Sequence, residues 1–558
     1  MKVKELIASR IEAAFDQVGL TGPAIVQTTS SPKLGDFQVN GVMAAAKKAK
    51  LDPSEKAREV IEAVKLEDIA LEVSFAKPGF INIKLAPDFL KHLAPDKITQ
   101  DDQALNIVVD YSAPNLAKEM HVGHLRSTII GDSMANILES KGHNVIRQNH
   151  VGDWGTQFGM LLTYMHEQGH ASHLLADLED FYRSAKKQFD SDEDFSNRSR
   201  EAVVNLQSGK AFESEHWKTF IETSMSHCEE IYEKLRVGLN SSHVRGESSY
   251  NAALPEVINI FKESNLLEES EGAQCIFFEG QKSPLIVQKA DGGFLYATTD
   301  LAAIRYRVNE LEANRILYFV DSRQSLHFRQ IFAAIELADL NPKAASLEHM
   351  AFGTMLNEEG KPFKTREGGL IKLKPLIEEA ISRATRTVLE KNPEISEHKA
   401  QEIGEIIGIA AIKYADLSKN RTNDYVFDWD QMLSLEGNTA PYLLYAYTRI
   451  QSLITRSGRS ERDLLKIVAP EDESERLLCV ELIKLDEVVD QVAKDGYPHL
   501  LCNHLYSVAT TFNQFYEQSA ILNQPEETML RRLSLTHATG RTLQKGLSLL
   551  GIDVVDKM

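Results

Sequence analysis

A chain of 558 residues with 43% hydrophobic content is long enough to bury several cores, which predicts roughly three or four domains rather than a small stapled fold. Its 81 acidic against 62 basic residues give a net charge of −19, which argues against indiscriminate nucleic-acid binding while leaving room for a local basic face. The four cysteines, Cys228, Cys275, Cys479 and Cys502, form no CxxC pair, so neither a disulfide framework nor a structural zinc site is expected.

The chain opens with "MKVKELIASRIEAAFDQVG", where Val3, Ile7, Ile11, Phe15 and Val18 recur like one face of a helix, interrupted by Glu5, Arg10, Glu12 and Asp16. That is not the pattern of a secretory signal, and no run approaches the roughly 18 apolar residues of a membrane span, so a cytoplasmic protein with no membrane partner is expected. A second helical stretch, "SEKAREVIEAVKLEDIAL", and a strand-like "GFINIKL" after Lys77, Pro78 and Gly79 make residues 1–104 a small α+β unit. The charged segment 91–102 reads as a linker. Next come a short buried-strand signal, "ALNIVVDY", a helix, "HLRSTIIGDSMANILESKG", ending near Gly142, and a second strand, "HNVIRQNHV". Strand, helix, strand is a βαβ unit, the start of a doubly wound parallel sheet.

A charged, helix-rich region at about 161–239 interrupts that sheet, and strand and helix signals resume at 314–320, 327–340 and 348–356. Beyond about Pro375 amphipathic helical patterns dominate. The expected architecture is therefore a multi-domain α/β protein. Residues 1–104 form the α+β front domain, residues 105–375 a Rossmann-like catalytic domain with the insertion, and residues 376–558 an all-α bundle.

The segment "DYSAPNLAKEMHVGHLR" (110–126) puts His121 and His124 around Gly123 where a strand becomes a helix. In such sheets ligands bind at the carboxyl ends of the strands, and a helix N-terminus favours anions. Imidazoles there can point the same way, phosphates would favour their cationic donor form, and Gly123 leaves room for an adenine ring. The arrangement suits charge developing on a transferring phosphoryl group. From the tetrad alone, incidental surface histidines or zinc-type residues fit as well.

The surroundings decide between these. "VDYSAPNLAKEMHVGH" followed by "GDWGTQFG" (152–159) resembles the signature of class I aminoacyl-tRNA synthetases, and within them the bacterial-type arginyl-tRNA synthetase family. The likeness continues through "GDFQVNGVMAAAKK" (35–48), "PGFINIKL" (78–85), "LYATTD" (295–300), "FGTMLNEEGKPFKTREGG" (352–369) and "EGNTAPYLLYAYTRIQSL" (436–453). Several long matches in order are far more specific than one motif.

The resemblance implies an enzyme that activates arginine with ATP, as its Mg2+ complex, and passes it to the 2′-hydroxyl of the terminal adenosine of tRNA. Activation in similar enzymes needs bound tRNA, and the family's usual form is a monomer. By resemblance, Asp110 and Asp300 accept the guanidinium with Tyr296 beside it and Gln324 nearby, while Ser112 and Asn115 hold the α-ammonium and α-carboxylate. Read without the family, Asp300 is equally a helix cap and Tyr296 a core aromatic. ATP is expected to meet His121, Gly123, His124, Gly152, Asp153, His327 and Phe363. The usual KMSKS loop is altered to "KPFKTR" (361–366), so its two-lysine spacing is missing. In this family a lysine before the histidine motif is thought to compensate, and Lys118 stands there; Lys118, His121, His124, Lys364 and Arg366 are the expected catalytic cations and donors, with Lys361 beside them.

For tRNA, Tyr442 and Tyr445 lie beside Arg449, which opens a basic stretch that ends at Lys466, and aromatics among arginines can stack bases, although tyrosines at helical spacing more often build cores. By resemblance Phe37, Gln38 and Asn40 touch the tRNA elbow. Two other functions stay open at this point: a catalytically idle tRNA-binding relative, and a class I synthetase for another amino acid such as cysteine. Intact Lys118, His121 and His124 oppose the first. The pocket aspartates oppose the second, because a neutral amino acid would leave them unmatched.

Overall fold

The apolar run ending in "NIVVD" forms strand β1 (Asn106–Asp110), buried along four of its five residues because parallel strands on both sides and helices on both faces cover it. The computed structural model describes residues 2–29, 32–92, 94–168, 178–207, 210–362 and 371–557. The chain divides into two compact units: residues 101–433 with 549–552, and residues 1–100 with 434–548 and 553–558.

In the first of these, β1 pairs in parallel with β2 (Asn144–Gln148) and β3 (Arg315–Tyr318), and β3 with β4 (Ser346–His349), giving the order β4-β3-β1-β2. The chain winds outward from β1 to β2, then crosses back to β3, so the switch point of the sheet lies between β1 and β3, where such sheets open a crevice. Helix α1 (Val122–Ser140) follows β1; α2 (Tyr296–Asn309) precedes β3, and α3 (Ser325–Leu337) follows it. Val108, Leu301, Ile304, Ile316, Ile331 and Ile335 form the core between sheet and helices. Helices Thr156–Glu167, Leu178–Ser191, Glu193–Gln207 and Ala211–Leu235 supply the expected insertion. A three-stranded antiparallel sheet of Glu268–Ser270, Ala273–Ile276 and Leu285–Gln288 was not expected, its strands being three or four residues long.

Helices Leu373–Lys391 and Glu397–Leu417 belong to this unit, packing against α1, so the break expected near residue 375 falls inside it. The packing is polar as well as apolar: buried Arg126 of α1 pairs with buried Asp416 at 3.0 Å and donates to the Gly353 carbonyl at 2.6 Å.

The other unit contains an antiparallel sheet of Val26–Thr28, Phe37–Val39, Phe80–Leu85 and Ala70–Ala76, in that order, backed by helices that include Val3–Gln17 and Pro53–Ala63. The latter helix starts as its sequence dictates: Asp52 caps the Glu55 N–H at 2.8 Å and Pro53 takes the first helical position. The same unit contains the helices Ala440–Ser457, Glu473–Leu482, Leu485–Asp495 and His499–Gln518. Buried Arg476 spans both oxygens of buried Asp36 at 2.8 Å, fastening sheet to helices. Within the stretch read as a linker, Thr99 is tied down, since its N–H and hydroxyl both donate to Asp486, at 2.7 and 2.6 Å. Among the described residues, no helix is long and apolar enough to cross a membrane.

Candidate active site

A cleft of about 700 Å3 opens at the carboxyl ends of β1 and β3. It is lined by Asp110, Ser112, Asn115, His121, Gly123, His124, Gly152, Tyr296, Asp300, Gln324 and His327 from the sequence expectation, and also by His150, Glu247 and Arg323. The expected residues Phe363, Lys364 and Arg366 lie outside the described residues, and Lys361 is exposed and paired with Glu359 at 2.9 Å.

The two histidines form the start of α1. Nδ1 of His121 accepts the Gly123 N–H at 3.0 Å, and Nδ1 of His124 accepts the His121 N–H at 3.1 Å, a reciprocal cap. Their rings sit 4.0 Å apart. A Cβ on Gly123 would stand 2.7 Å from the His121 ring, so glycine is what lets this imidazole fold over the helix end. Because each Nδ1 accepts, a neutral ring carries its proton on Nε2. Burial, with Lys118 and Arg323 nearby, pushes His121 down to about 4, and burial, with His121 nearby, pushes His124 down to about 3. The cationic form is expected where phosphates are bound; the free protein offers neutral Nε2–H donors at a positive helix terminus. Lys118 lies outside the cleft lining, its ammonium 4.4 Å from the ring centre of Tyr182 on an insertion helix.

The opposite end is acidic. Oδ2 of Asp300 lies 2.6 Å from His327 Nε2, and its Oδ1 lies 4.0 Å from His150 Nε2. Tyr296, 60% exposed, places its ring 4.9 Å from His327. His327 therefore borders the carboxylate end and not only the region expected for adenosine. Glu247, from the turn after the insertion, faces the same space; burial, with the Asp300 and Asp153 carboxylates, raises it to about 7. Nothing periodic marked this residue, which opens the short 3-10 helix Glu247–Ala253 directly after Gly246. Asp110 is differently placed: buried Arg307 donates to its Oδ2 at 2.7 Å and to Gln148 Oε1 at 2.6 Å. One charge of the expected carboxylate pair is already matched by the protein.

Ser112 and Ala113 both have positive φ, 71° and 44°, a strained arrangement at the end of β1. It is held by neighbours: the Ser112 N–H donates to Ser127 Oγ at 2.9 Å, its hydroxyl bonds the Tyr232 hydroxyl at 2.7 Å, and Thr128 donates to it at 2.9 Å. The Asn115 side-chain oxygen accepts the Ala117 N–H at 3.0 Å, and its backbone bridges to Gly152, which joins the loop before "HVGH" to the "GDWG" segment. Asp153 does not line the cleft; it is buried and bonded to Ser248.

Away from the cleft, Phe37 is fully buried in the front sheet, so its ring presents no exposed face for the expected RNA contact; its alternation with Gln38 along the strand puts it on the core face. Gln38 donates to Asn82 at 2.8 Å, and Asn40 donates to Gln27 at 2.9 Å. Tyr445 is 45% exposed, and the Arg449 guanidinium lies between its ring and that of Tyr516, 5.0 and 5.1 Å from their centres. Tyr442 accepts from Asn513 at 2.9 Å.

The unit with the parallel sheet, the histidine-capped helix and the helical insertion matches a class I tRNA synthetase family model, so the protein is of that class. Family models match three segments: the arginyl tRNA synthetase N terminal domain over residues 1–85, the class I (R) tRNA synthetase catalytic domain over 90–429, and the DALR anticodon binding domain over 443–558. The chain is 51% identical to an arginine–tRNA ligase of Marinomonas sp. (strain MWYL1) and 48% identical to one of Chromobacterium violaceum, with 100% of each chain covered. Its fold is similar to the crystal structure of arginyl-tRNA synthetase from Plasmodium falciparum, with TM-score 0.86 and 30% identity over 100% of both chains. The chain belongs to the arginyl-tRNA synthetase family.

Proposed function

We infer that the protein is an arginine–tRNA ligase whose cleft binds arginine at its acidic end and the ATP phosphates at the start of α1. The observation that carries this reading is the sharing of one cleft by Asp300 and Glu247 on one side and the His121–His124 cap on the other. Two carboxylates suit a planar five-donor guanidinium, with Tyr296 and Gln324 beside it. Asp110, already neutralised by Arg307, supports the wall of this pocket. Ser112 and Asn115 face the α-ammonium and α-carboxylate. The Nε2–H groups of His121 and His124 donate to phosphate, and Lys118, Lys364 and Arg366 add positive charge.

ATP arrives as its Mg2+ complex. The arginine carboxylate attacks the α-phosphorus in line, forming the acyl–phosphate bond of arginyl-adenylate as the bond to pyrophosphate breaks. The 2′-hydroxyl of the terminal adenosine then attacks the acyl carbon and AMP leaves. The protein contributes positioning and charge stabilisation, not a nucleophile. Bound tRNA is required before activation, the helical region from Ala440 reads the anticodon end, and the front domain touches the elbow. The protein acts as a monomer, the family's usual form, in the cytoplasm where its substrates meet.

ATP–pyrophosphate exchange with arginine, run with and without total tRNA, tests this. Exchange only when arginine and tRNA are both present is the expected result. Exchange with a different amino acid overturns the pocket reading, and silence with all twenty overturns the catalytic one.

A further inference from the structure

Asp153 belongs to the "GDWG" segment after β2, yet its carboxylate is spent on a neighbouring turn. Oδ1 accepts the Ser248 N–H at 2.8 Å and Oδ2 accepts the Ser248 hydroxyl at 2.6 Å. The Asp153 carbonyl in turn accepts the Trp217 indole N–H at 2.7 Å, so the loop is fixed from behind by the insertion helix Ala211–Leu235. The Glu247 N–H donates to the Val151 carbonyl at 3.1 Å. A Cβ on Gly246 would stand 2.1 Å from Asp153 Oδ2, so the turn can approach this carboxylate only because residue 246 is glycine. Three consecutive residues, Gly246, Glu247 and Ser248, are thereby locked onto 151–153, and of the three Glu247 is the one that lines the cleft.

We propose that Asp153 is a positioning residue for arginine recognition: its carboxylate clamps the Gly246–Ser248 turn so that Glu247 meets the guanidinium. This rests on the assignment of Glu247 as a guanidinium acceptor. Asp153 is only 5% exposed, does not line the cleft, and has both carboxylate oxygens bonded to Ser248, which places it behind the pocket wall rather than against a ligand. A bidentate clamp fixes orientation as well as distance, and charge recognition at a planar cation depends on both. Asp153 also places a second carboxylate near Glu247, so the turn is preloaded for a cation and poorly matched to a neutral side chain.

The test is steady-state aminoacylation by the full-length Asp153→Ala, Ser248→Ala, Glu247→Gln and Asp153→Ala/Glu247→Gln proteins, with KM for arginine, KM for ATP and kcat measured separately. Thermal midpoints are recorded alongside. Asp153→Ala is expected to raise KM for arginine roughly tenfold or more, with KM for ATP unchanged. Ser248→Ala, which keeps the backbone bond, gives a smaller shift in the same direction and serves if Asp153→Ala folds poorly. The double variant is expected to lose much less than the product of the single effects, as coupled groups do. An arginine-specific effect of Glu247→Gln with normal arginine KM in both Asp153→Ala and Ser248→Ala overturns the positioning role alone, as does a rise confined to KM for ATP. A normal arginine KM in Glu247→Gln overturns the acceptor assignment itself.

Discussion

Nε2 of His327, in the first turn of α3, stands 2.6 Å from Oδ2 of Asp300, just past the first turn of α2. This contact joins two helices on either side of β3 and fixes the rotamer of a carboxylate that faces the cleft. His327→Ala should therefore raise KM for arginine several-fold while KM for ATP moves little, because the partner that orients Asp300 is lost. A change confined to KM for ATP would instead put His327 at the adenosine. Steady-state kinetics with each substrate varied in turn distinguish the two.

Glu247 sits near 7 in the free protein because burial and the Asp300 and Asp153 carboxylates disfavour its charge. A guanidinium needs the ionised form, so arginine binding should release a proton on the acid side of that value. KM for arginine is expected to fall as pH rises from about 5.5 and to level off above about 7.5. The sign for folding is the reverse. A carboxyl raised above its unfolded value favours the folded state below that unfolded value, and the contribution is lost as pH rises through about 7. Glu247→Gln should flatten both profiles, which arginine titrations and thermal unfolding between pH 5 and 8.5 can check.

The histidine pair has the opposite linkage. With values depressed to about 4 and about 3, both rings are neutral throughout the physiological range, so use of ATP should show no inflection near 6.5 from either. Depressed bases contribute stability above the unfolded value, lost as pH falls from about 6.5 through those folded values. His124→Ala removes the acceptor of the His121 N–H and should cost about 1 kcal/mol of stability through the lost cap alone. Thermal unfolding from pH 4 to 8 and the pH profile of kcat/KM for ATP test these statements.

How much of this was legible in the sequence depended on locality. The "HVGH" pair, β1 and the helix after it are neighbours in sequence, and apolar period and capping chemistry point to one answer. The arginine end is assembled from the ends of β1 and β3, two α-helix starts and the start of a short 3-10 helix. Glu247 and His150 carry no pattern that separates them from surface residues, and the matching of Asp110 by Arg307, 197 positions away, is visible only once the fold brings them together. Phe37 was misread for a related reason. Phe37 is assigned to RNA by resemblance together with Gln38 and Asn40, whereas a strand alternates its faces and sends every second side chain inward.

Asp110 and Arg307 are both buried, so each depends on the other for its solvation. Arg307→Met leaves the aspartate without a charge partner at the end of the central strand, and stability should fall by about 3–5 kcal/mol. Asp110→Asn strands the guanidinium in the same way. Urea unfolding of the two single variants and of Asp110→Asn/Arg307→Met should show the double variant more stable than the sum of the single losses predicts.

At the helical end, exposure separates the tyrosines by role. Tyr447 is 4% exposed and packs inside the bundle, whereas Tyr445 offers an open ring face beside the Arg449 guanidinium. A base stacked on an aromatic ring is worth about 1–3 kcal/mol, so Tyr445→Ala should raise KM for tRNA roughly five- to hundredfold, leaving KM for arginine and the thermal midpoint near their starting values. Arg449→Ala should act in the same direction, since the guanidinium also loses its hold on Asn513 at 2.8 Å. Truncating a buried aromatic such as Phe37 should do the converse, lowering stability by about 3–5 kcal/mol. Aminoacylation with tRNA varied, set beside thermal melts of the Phe37→Ala, Tyr445→Ala and Arg449→Ala proteins, tests the division; equal tRNA defects in all three would mean that fold stability, not ring exposure, governs RNA binding at this end of the chain.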